Sequence, residues 1–220
     1  MRIFVAKWLR ILLLVASIAA LAAEVVVITD AQIAKLAQQF GPVAKNRLTA
    51  WKDILNNPKY KKLAEREKLE LVNDFMNQTP FISDIQHWGK EDYWATPIEF
   101  LSTNGGDCED YSIAKYFTLI ALGVPDEKLR ITYVKELVVY NEAHMVLAYF
   151  PTPDAEPLVL DNINKTIRPA STRTDLVPVY SFNGSGLWLA KDQTGRGQSV
   201  GGSDRIGHWK DVQARLRSAM

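Results

Sequence analysis

At Leu122-Gly123-Val124-Pro125 the hydrophobic pattern of the chain changes period. Upstream, apolar residues recur three and four positions apart, as on one face of a helix. Downstream they alternate, as on a strand. A chain with its helices first and its strands second is α+β. Asp30 caps a first helix with Ile33, Leu36, Ala37 and Phe40 inward. After Gly41-Pro42 the pattern resumes with Val43, Leu48, Trp51, Ile54 and Leu55, and stops at Asn56-Asn57-Pro58. A third helix covers 61–77, with Leu63, Leu69, Val72, Phe75 and Met76 inward. Residues 78–103 read as irregular. A helix over 108–122 has Ile113, Phe117 and Ile120 on its core side and ends at Gly123 and Pro125.

The period-two segments predict strands at 129–140, 144–150, 157–161, 177–183 and 186–190. Asn141-Glu142-Ala143 is a tight connection, so the first two pair as an antiparallel hairpin. Gly195, Gly197, Gly201, Gly202 and Gly207 mark 192–207 as a mobile loop. Residues 208–217 form a short basic amphipathic helix through Trp209, Val212 and Leu216. No internal repeat and no second domain are visible.

The beginning of the chain is not part of that fold. Arg2, Lys7 and Arg10 precede an apolar run ending in Ala20-Leu21-Ala22, the pattern of a secretory signal peptide over 1–23. An uncleaved anchor is the alternative, but the run is shorter than the roughly 20 residues that a bilayer span needs. No cysteine lies near the cleavage site, which excludes a lipoprotein. Cleavage leaves a single domain, 24–220, with 23 basic and 25 acidic residues. That balance gives no argument for a nucleic-acid partner.

Cys108 is the only cysteine, so an internal disulfide is impossible and the thiol is either inert or kept for chemistry. It follows Gly105-Gly106-Asp107 at a helix start, where the dipole favours a thiolate and the Cys108 N–H can serve an oxyanion. His144 starts a strand just after the hairpin turn, and Asp161 ends the next strand. Neighbouring strands can present both at one sheet edge, giving nucleophile, base and orienter. His87 and His208 compete for the base: His87 follows no strand, and His208 sits beside the glycine-rich loop. A core histidine and a turn aspartate are the bland alternative.

Asp107, Glu109 and Asp110 flank the thiol and oppose its ionisation. Acids in a first helical turn offset the macrodipole, and Asp107 suits an N-cap. A hard cation such as Ca²⁺, taking 6–8 oxygens, would also relieve the repulsion, with loop carbonyls around Asn104 completing the set. Asp107 must then leave the helical path, which the glycines permit. Both readings stay open from spacing alone.

Several segments together carry a resemblance. They are Tyr93-Trp94-Ala95-Thr96-Pro97 with Glu99, Gly106-Asp107-Cys108-Glu109-Asp110-Tyr111 with Lys115-Tyr116, and Leu122-Gly123-Val124-Pro125. His144-Met145-Val146-Leu147, Leu160-Asp161-Asn162 and Pro178-Val179-Tyr180-Ser181-Phe182-Asn183 follow in order. Over roughly 30–190 the chain resembles the LapG type of bacterial transglutaminase-like cysteine proteases.

The resemblance implies a papain/transglutaminase-like α+β core, with N-terminal helices packed on an antiparallel β-sheet and the nucleophile at a helix N-terminus. It implies Cys108 as nucleophile, His144 as base and Asp161 as orienter, with Asp107, Glu109 and Asp110 around Ca²⁺. It further implies a periplasmic, calcium-dependent endopeptidase that cuts the N-terminal region of a large surface adhesin near paired alanines and so releases biofilm cells. An inner-membrane cyclic di-GMP receptor is the expected second partner, through its periplasmic domain. An exposed aromatic among Trp88, Tyr93 and Trp94 is the expected anchor for it, with Trp94 alternatively lining the cleft or packing the core. The same triad could instead serve a transglutaminase or a peptidoglycan-directed acyl transferase. A non-catalytic calcium-binding module is the other alternative.

Overall fold

A computed structural model describes residues 26–190, 192 and 197–219. The expected leader, 1–23, lies outside the described residues. Helix α1 (Asp30–Phe40) is capped by Thr29 rather than Asp30: the Thr29 amide donates to Gln32 Oε1 at 2.7 Å and the Gln32 amide returns to Thr29 Oγ1 at 3.2 Å. Helix α2 (Pro42–Asn56) buries Leu48, Trp51, Ile54 and Leu55, but Val43 and Phe40 face solvent. The expected third helix is α4 (Glu65–Met76), which starts later than expected, and a short helix the sequence did not announce, α3 (Pro58–Lys61), precedes it. Pro58 opens α3 at its first position, where a missing N–H costs nothing.

The segment expected to be irregular holds α5 (Asp84–His87) and α6 (Pro97–Thr103). Thr96-Pro97-Ile98-Glu99 is a capping box with proline at the helix start, so α6 was legible. Helix α7 (Cys108–Ala121) is buried almost all round, through Tyr111, Ile113, Ala114, Tyr116 and Leu119. Phe117 and Ile120, expected at its core side, are only half-buried. Trp51 reaches across to α7 with Nε1 donating to Thr118 Oγ1 at 2.9 Å.

Beyond α7 comes one seven-stranded antiparallel sheet in the order β4-β3-β2-β1-β5-β6-β7. Its strands are β1 (Leu129–Glu136), β2 (Ala143–Tyr149), β3 (Leu158–Leu160), β4 (Arg168–Pro169), β5 (Leu176–Phe182), β6 (Leu187–Ala190) and β7 (Gly197–Gly201). The hairpin between β1 and β2 has the expected pairing, with Val134 opposite His144, but its connection is longer than expected. Glu136 ends β1 because its buried carboxylate accepts the amides of Val138, Val139, Tyr140 and Asn141. The glycine-rich stretch is corrected in part: 197–201 pairs with β6 as an edge strand.

Helix α8 (Gly207–Ala219) returns to the helical layer and buries Trp209, Val212 and Leu216, as the sequence predicts. Its Arg215 donates to Glu99 and to the Trp94 carbonyl, which pins the segment before α6. Among the described residues no helix is long and apolar enough to cross a membrane.

Candidate active site

The start of α7 is built by close approach. A Cβ on Gly106 would lie 2.3 Å from Asp110 Oδ2 and 2.7 Å from the Phe100 ring. Only glycine fits so close an approach, and Asp107 follows in extended conformation (φ −111°, ψ −162°) as the N-cap, with its amide 3.3 Å from Asp110 Oδ2. Cys108 is therefore the first helical residue, and first-turn amides have no intrahelical acceptor. That is the position expected of an oxyanion donor.

One face of α7 is stitched to the sheet. Ser112, one turn after Cys108, donates from Oγ to the carbonyls of Cys108 at 2.9 Å and Met145 at 3.1 Å. Lys115, nearly one turn further, donates from Nζ to the Asp161 carbonyl at 3.0 Å. These bonds seat the thiol beside the strands that carry His144 and Asp161. His144 Nε2 lies 2.8 Å from Asp161 Oδ1, with both residues buried. That leaves Nδ1 as the ring nitrogen to face a thiol.

The structure pairs His144 with Asp161 and holds the helix that begins at Cys108 against the strand that carries His144. The two competing histidines have other partners. His87 lies on α5, 2.7 Å from Thr103 Oγ1, and His208 pairs with Asp92 at 3.3 Å and stacks on Trp94.

Asp161 is held as a carboxylate. Burial alone would raise its proton affinity, but the bond from His144, that ring's charge, the Ile163 amide and Arg173 pull it well below the usual range. Lys115 is also pushed below its ordinary value, to about 7, because burial outweighs the attraction of Asp161, and for an amine that favours the neutral form. Ser112 and Lys115 are polar residues at helical spacing from Cys108 in an apolar helix, a signal the sequence carried.

The thiol does not behave as the helix dipole alone suggests. Burial pushes the Cys108 thiol well up, and Glu109 and Asp107 add to the effect; Sγ donates to Glu109 Oε2 at 3.0 Å. The acids are equally crowded. Burial and then Glu109 raise both Asp107 and Asp110. Asp110 spends Oδ1 on the Ala95 amide at 2.6 Å.

Asp84 is the residue that sequence reasoning missed. The Ile82 amide bonds the Gly106 carbonyl at 2.9 Å, which lays the 81–84 loop against the start of α7. Asp84, Asp107 and Asp110 then offer oxygens within 4.8 Å of one another, as do Asp84, Asp92 and Glu109. Burial pushes Asp84 up to about 6. Asp84 Oδ1 and Asp107 Oδ1 are buried with no hydrogen-bond partner. Orphaned carboxylate oxygens in an all-oxygen cluster fit a hard divalent cation. No local pattern announces Asp84, because a loop pairing brings it in. Asn104 turns its side chain away, to Arg47.

Trp94 packs rather than lines: it is 6 % exposed and stacks on Phe182 at 5.7 Å. Trp88 and Tyr93 are half-buried against each other at 4.7 Å. None of the three is the exposed aromatic expected as a receptor anchor.

A model of the bacterial transglutaminase-like cysteine proteinases (BTLCP) matches residues 51–194. Among curated proteins there is no match. Three solved structures of Legionella pneumophila LapG are similar over 86 % of this chain. The EGTA-treated form has 45 % identity, 98 % of that chain covered and a TM-score of 0.74. A second LapG structure has 45 %, 98 % and 0.73. The calcium-bound form has 46 %, 99 % and 0.72.

Proposed function

Because this chain belongs to the family of bacterial transglutaminase-like cysteine proteinases, we propose that it is a calcium-dependent cysteine endopeptidase working through Cys108, His144 and Asp161. The observation that carries the reading is the seam from α7 to the sheet, in which Ser112 and Lys115 fasten the helix bearing Cys108 to the strands bearing His144 and Asp161. His144 takes the thiol proton, and the sulfur attacks the scissile carbonyl. The Cys108 amide steadies the oxyanion, and the imidazolium returns its proton to the departing amine. Water then hydrolyses the thioester with His144 as base. Asp161 keeps the ring oriented throughout.

The LapG relatives are described as calcium-bound and EGTA-treated, and the donor set here suits the same ion. Asp84, Asp107, Glu109 and Asp110 would hold it, with Asp92 beside them. When bound it supplies positive charge next to a thiol that is otherwise surrounded by carboxylates.

The substrate in this reading is the N-terminal region of a large surface adhesin, cut in the periplasm after export and removal of residues 1–23. Its release disperses biofilm cells, and a cyclic di-GMP receptor in the inner membrane sequesters the enzyme through its periplasmic domain. The test is mass spectrometry of adhesin fragments incubated with wild type and Cys108→Ala, with an amine donor and peptidoglycan in parallel. Hydrolysis of the fragment by wild type alone is the expected result. Amine incorporation or crosslink attack instead would move the assignment to an acyl transferase. Equal function in Cys108→Ala would point to a non-catalytic calcium module. Pull-down with the receptor's periplasmic domain tests the second partner, and no retention with or without calcium would remove it.

A further inference from the structure

Asp161 is gripped on two sides. Its Oδ1 accepts from His144 Nε2 at 2.8 Å and from the Ile163 amide at 3.0 Å. Its Oδ2 accepts from Arg173 Nη2 at 2.6 Å and faces the Asn164 amide at 3.4 Å. Arg173 is 2 % exposed. Its guanidinium is itself clamped by Asp175: Nε donates to the two carboxylate oxygens at 2.9 and 3.1 Å, and Nη2 donates at 2.6 Å. A continuous relay therefore runs Asp175–Arg173–Asp161–His144 from the half-exposed Asp175 to the buried ring.

We infer that Arg173, anchored by Asp175, is a positioning residue for this reaction that fixes the plane of the Asp161 carboxylate and offsets its charge, so that Oδ1 stays aimed at His144. The inference rests on the acyl-transfer reading above. The physical reason is geometric. A carboxylate is planar, so fixing the direction of Oδ2 also fixes that of Oδ1. A guanidinium is a planar fork that loses little freedom in such a contact. The ring nitrogen that accepts the thiol proton is thereby set by a residue that touches neither thiol nor substrate. Arg173 also closes its own turn, with its amide on the Ala170 carbonyl at 3.0 Å. A purely structural role would stop there, and the test must separate the two.

The experiment uses the full mature chain with Ca²⁺ present. Variants are Arg173→Met, Arg173→Lys, Asp175→Asn, Asp161→Asn, and Arg173→Met combined with Asp161→Asn. One readout is the nitrophenolate burst with p-nitrophenyl acetate, with the acetyl group located on Cys108 by mass spectrometry. The other is the NMR signal of the His144 Nε2 proton, expected downfield and protected from exchange while Asp161 accepts it.

Arg173→Met should lower the burst rate about tenfold or more, the equivalent of one hydrogen bond to a charged group, and erase the protected proton. Arg173→Lys should restore part of both, and Asp175→Asn should give an intermediate loss. In the Asp161→Asn background, Arg173→Met should cost nothing further. If Arg173→Met fails to fold, the lysine and Asp175→Asn variants carry the comparison. An unchanged His144 proton with full burst rate in the arginine variants would overturn the inference. So would an equal loss from Arg173→Met with and without Asp161. A wild type with no burst, but with a His144 proton lost on Arg173→Met, would overturn the acyl-transfer reading and leave the positioning of His144 by Arg173 standing.

Discussion

A half-buried thiol ringed by carboxylates is a poor nucleophile unless its surroundings change its charge balance, and two single-residue predictions belong to that setting. Asp84 contributes an orphaned buried oxygen to the acidic cluster from a loop far from Cys108 in sequence. Asp84→Asn should weaken calcium binding by roughly tenfold or more, read by calorimetry, while the fold persists. Unchanged affinity would take Asp84 out of the proposed site. Asp161 is the other. Asp161→Asn keeps the shape but offers the His144 ring the wrong partner atoms. Turnover should fall by up to about 10⁴-fold with circular dichroism near wild type. Near-normal turnover in Asp161→Asn would remove it from the triad.

At the scale of elements, the hairpin before His144 is the clearest case of a carboxylate shaping a loop. Burial opposes the charge of Glu136, but the amides of Tyr140, Val139, Val138 and Asn141 hold its carboxyl down at about 2. The folded value lies below the ordinary one of 4.5. The loop's stabilisation is therefore complete above the ordinary value and is lost as pH falls from there through about 2. Glu136→Gln should cost about 1–2 kcal/mol near neutral pH, from weakened charge-assisted hydrogen bonds. The gap to wild type in urea melts should close as the pH drops below 4. A gap that does not depend on pH would mean that charge is not what holds the loop. Helix α6 gives a second, simpler prediction: Thr96→Ala removes its cap and should cost about 1 kcal/mol of stability, with no pH dependence near neutrality.

For the whole molecule, the acidic cluster ties together three separate segments: the 81–84 loop, the start of α7 and Asp92 beside α8. A cation bound only by the folded state stabilises it by mass action, about 2.7 kcal/mol at a concentration 100-fold above Kd. Chelation by EGTA should abolish activity and lower Tm. Ca²⁺ should restore both, and Mg²⁺ should do so poorly, because its strict octahedral shell suits an irregular oxygen cluster less well. Full activity and an unshifted Tm after exhaustive chelation would return Asp107, Glu109 and Asp110 to helix-start charges.

The sequence by itself determined the order of helices and strands, the hairpin that presents His144, and Cys108 at a helix start. Each is written in local signals: a change of hydrophobic period at Pro125, a lone cysteine behind two glycines, and alternation through β1 and β2. It also held a capping box at Thr96 and polar residues at Ser112 and Lys115, both legible because helix geometry is local. Only the tertiary structure decided that Asp84 joins the acids, that Arg173 grips Asp161, that Glu136 lengthens the hairpin loop, and that 197–201 pairs as an edge strand. These depend on groups far apart in the chain, or on a carboxylate choosing amides over water. No periodicity records such choices, because burial and long-range hydrogen bonding set them only once the chain has closed.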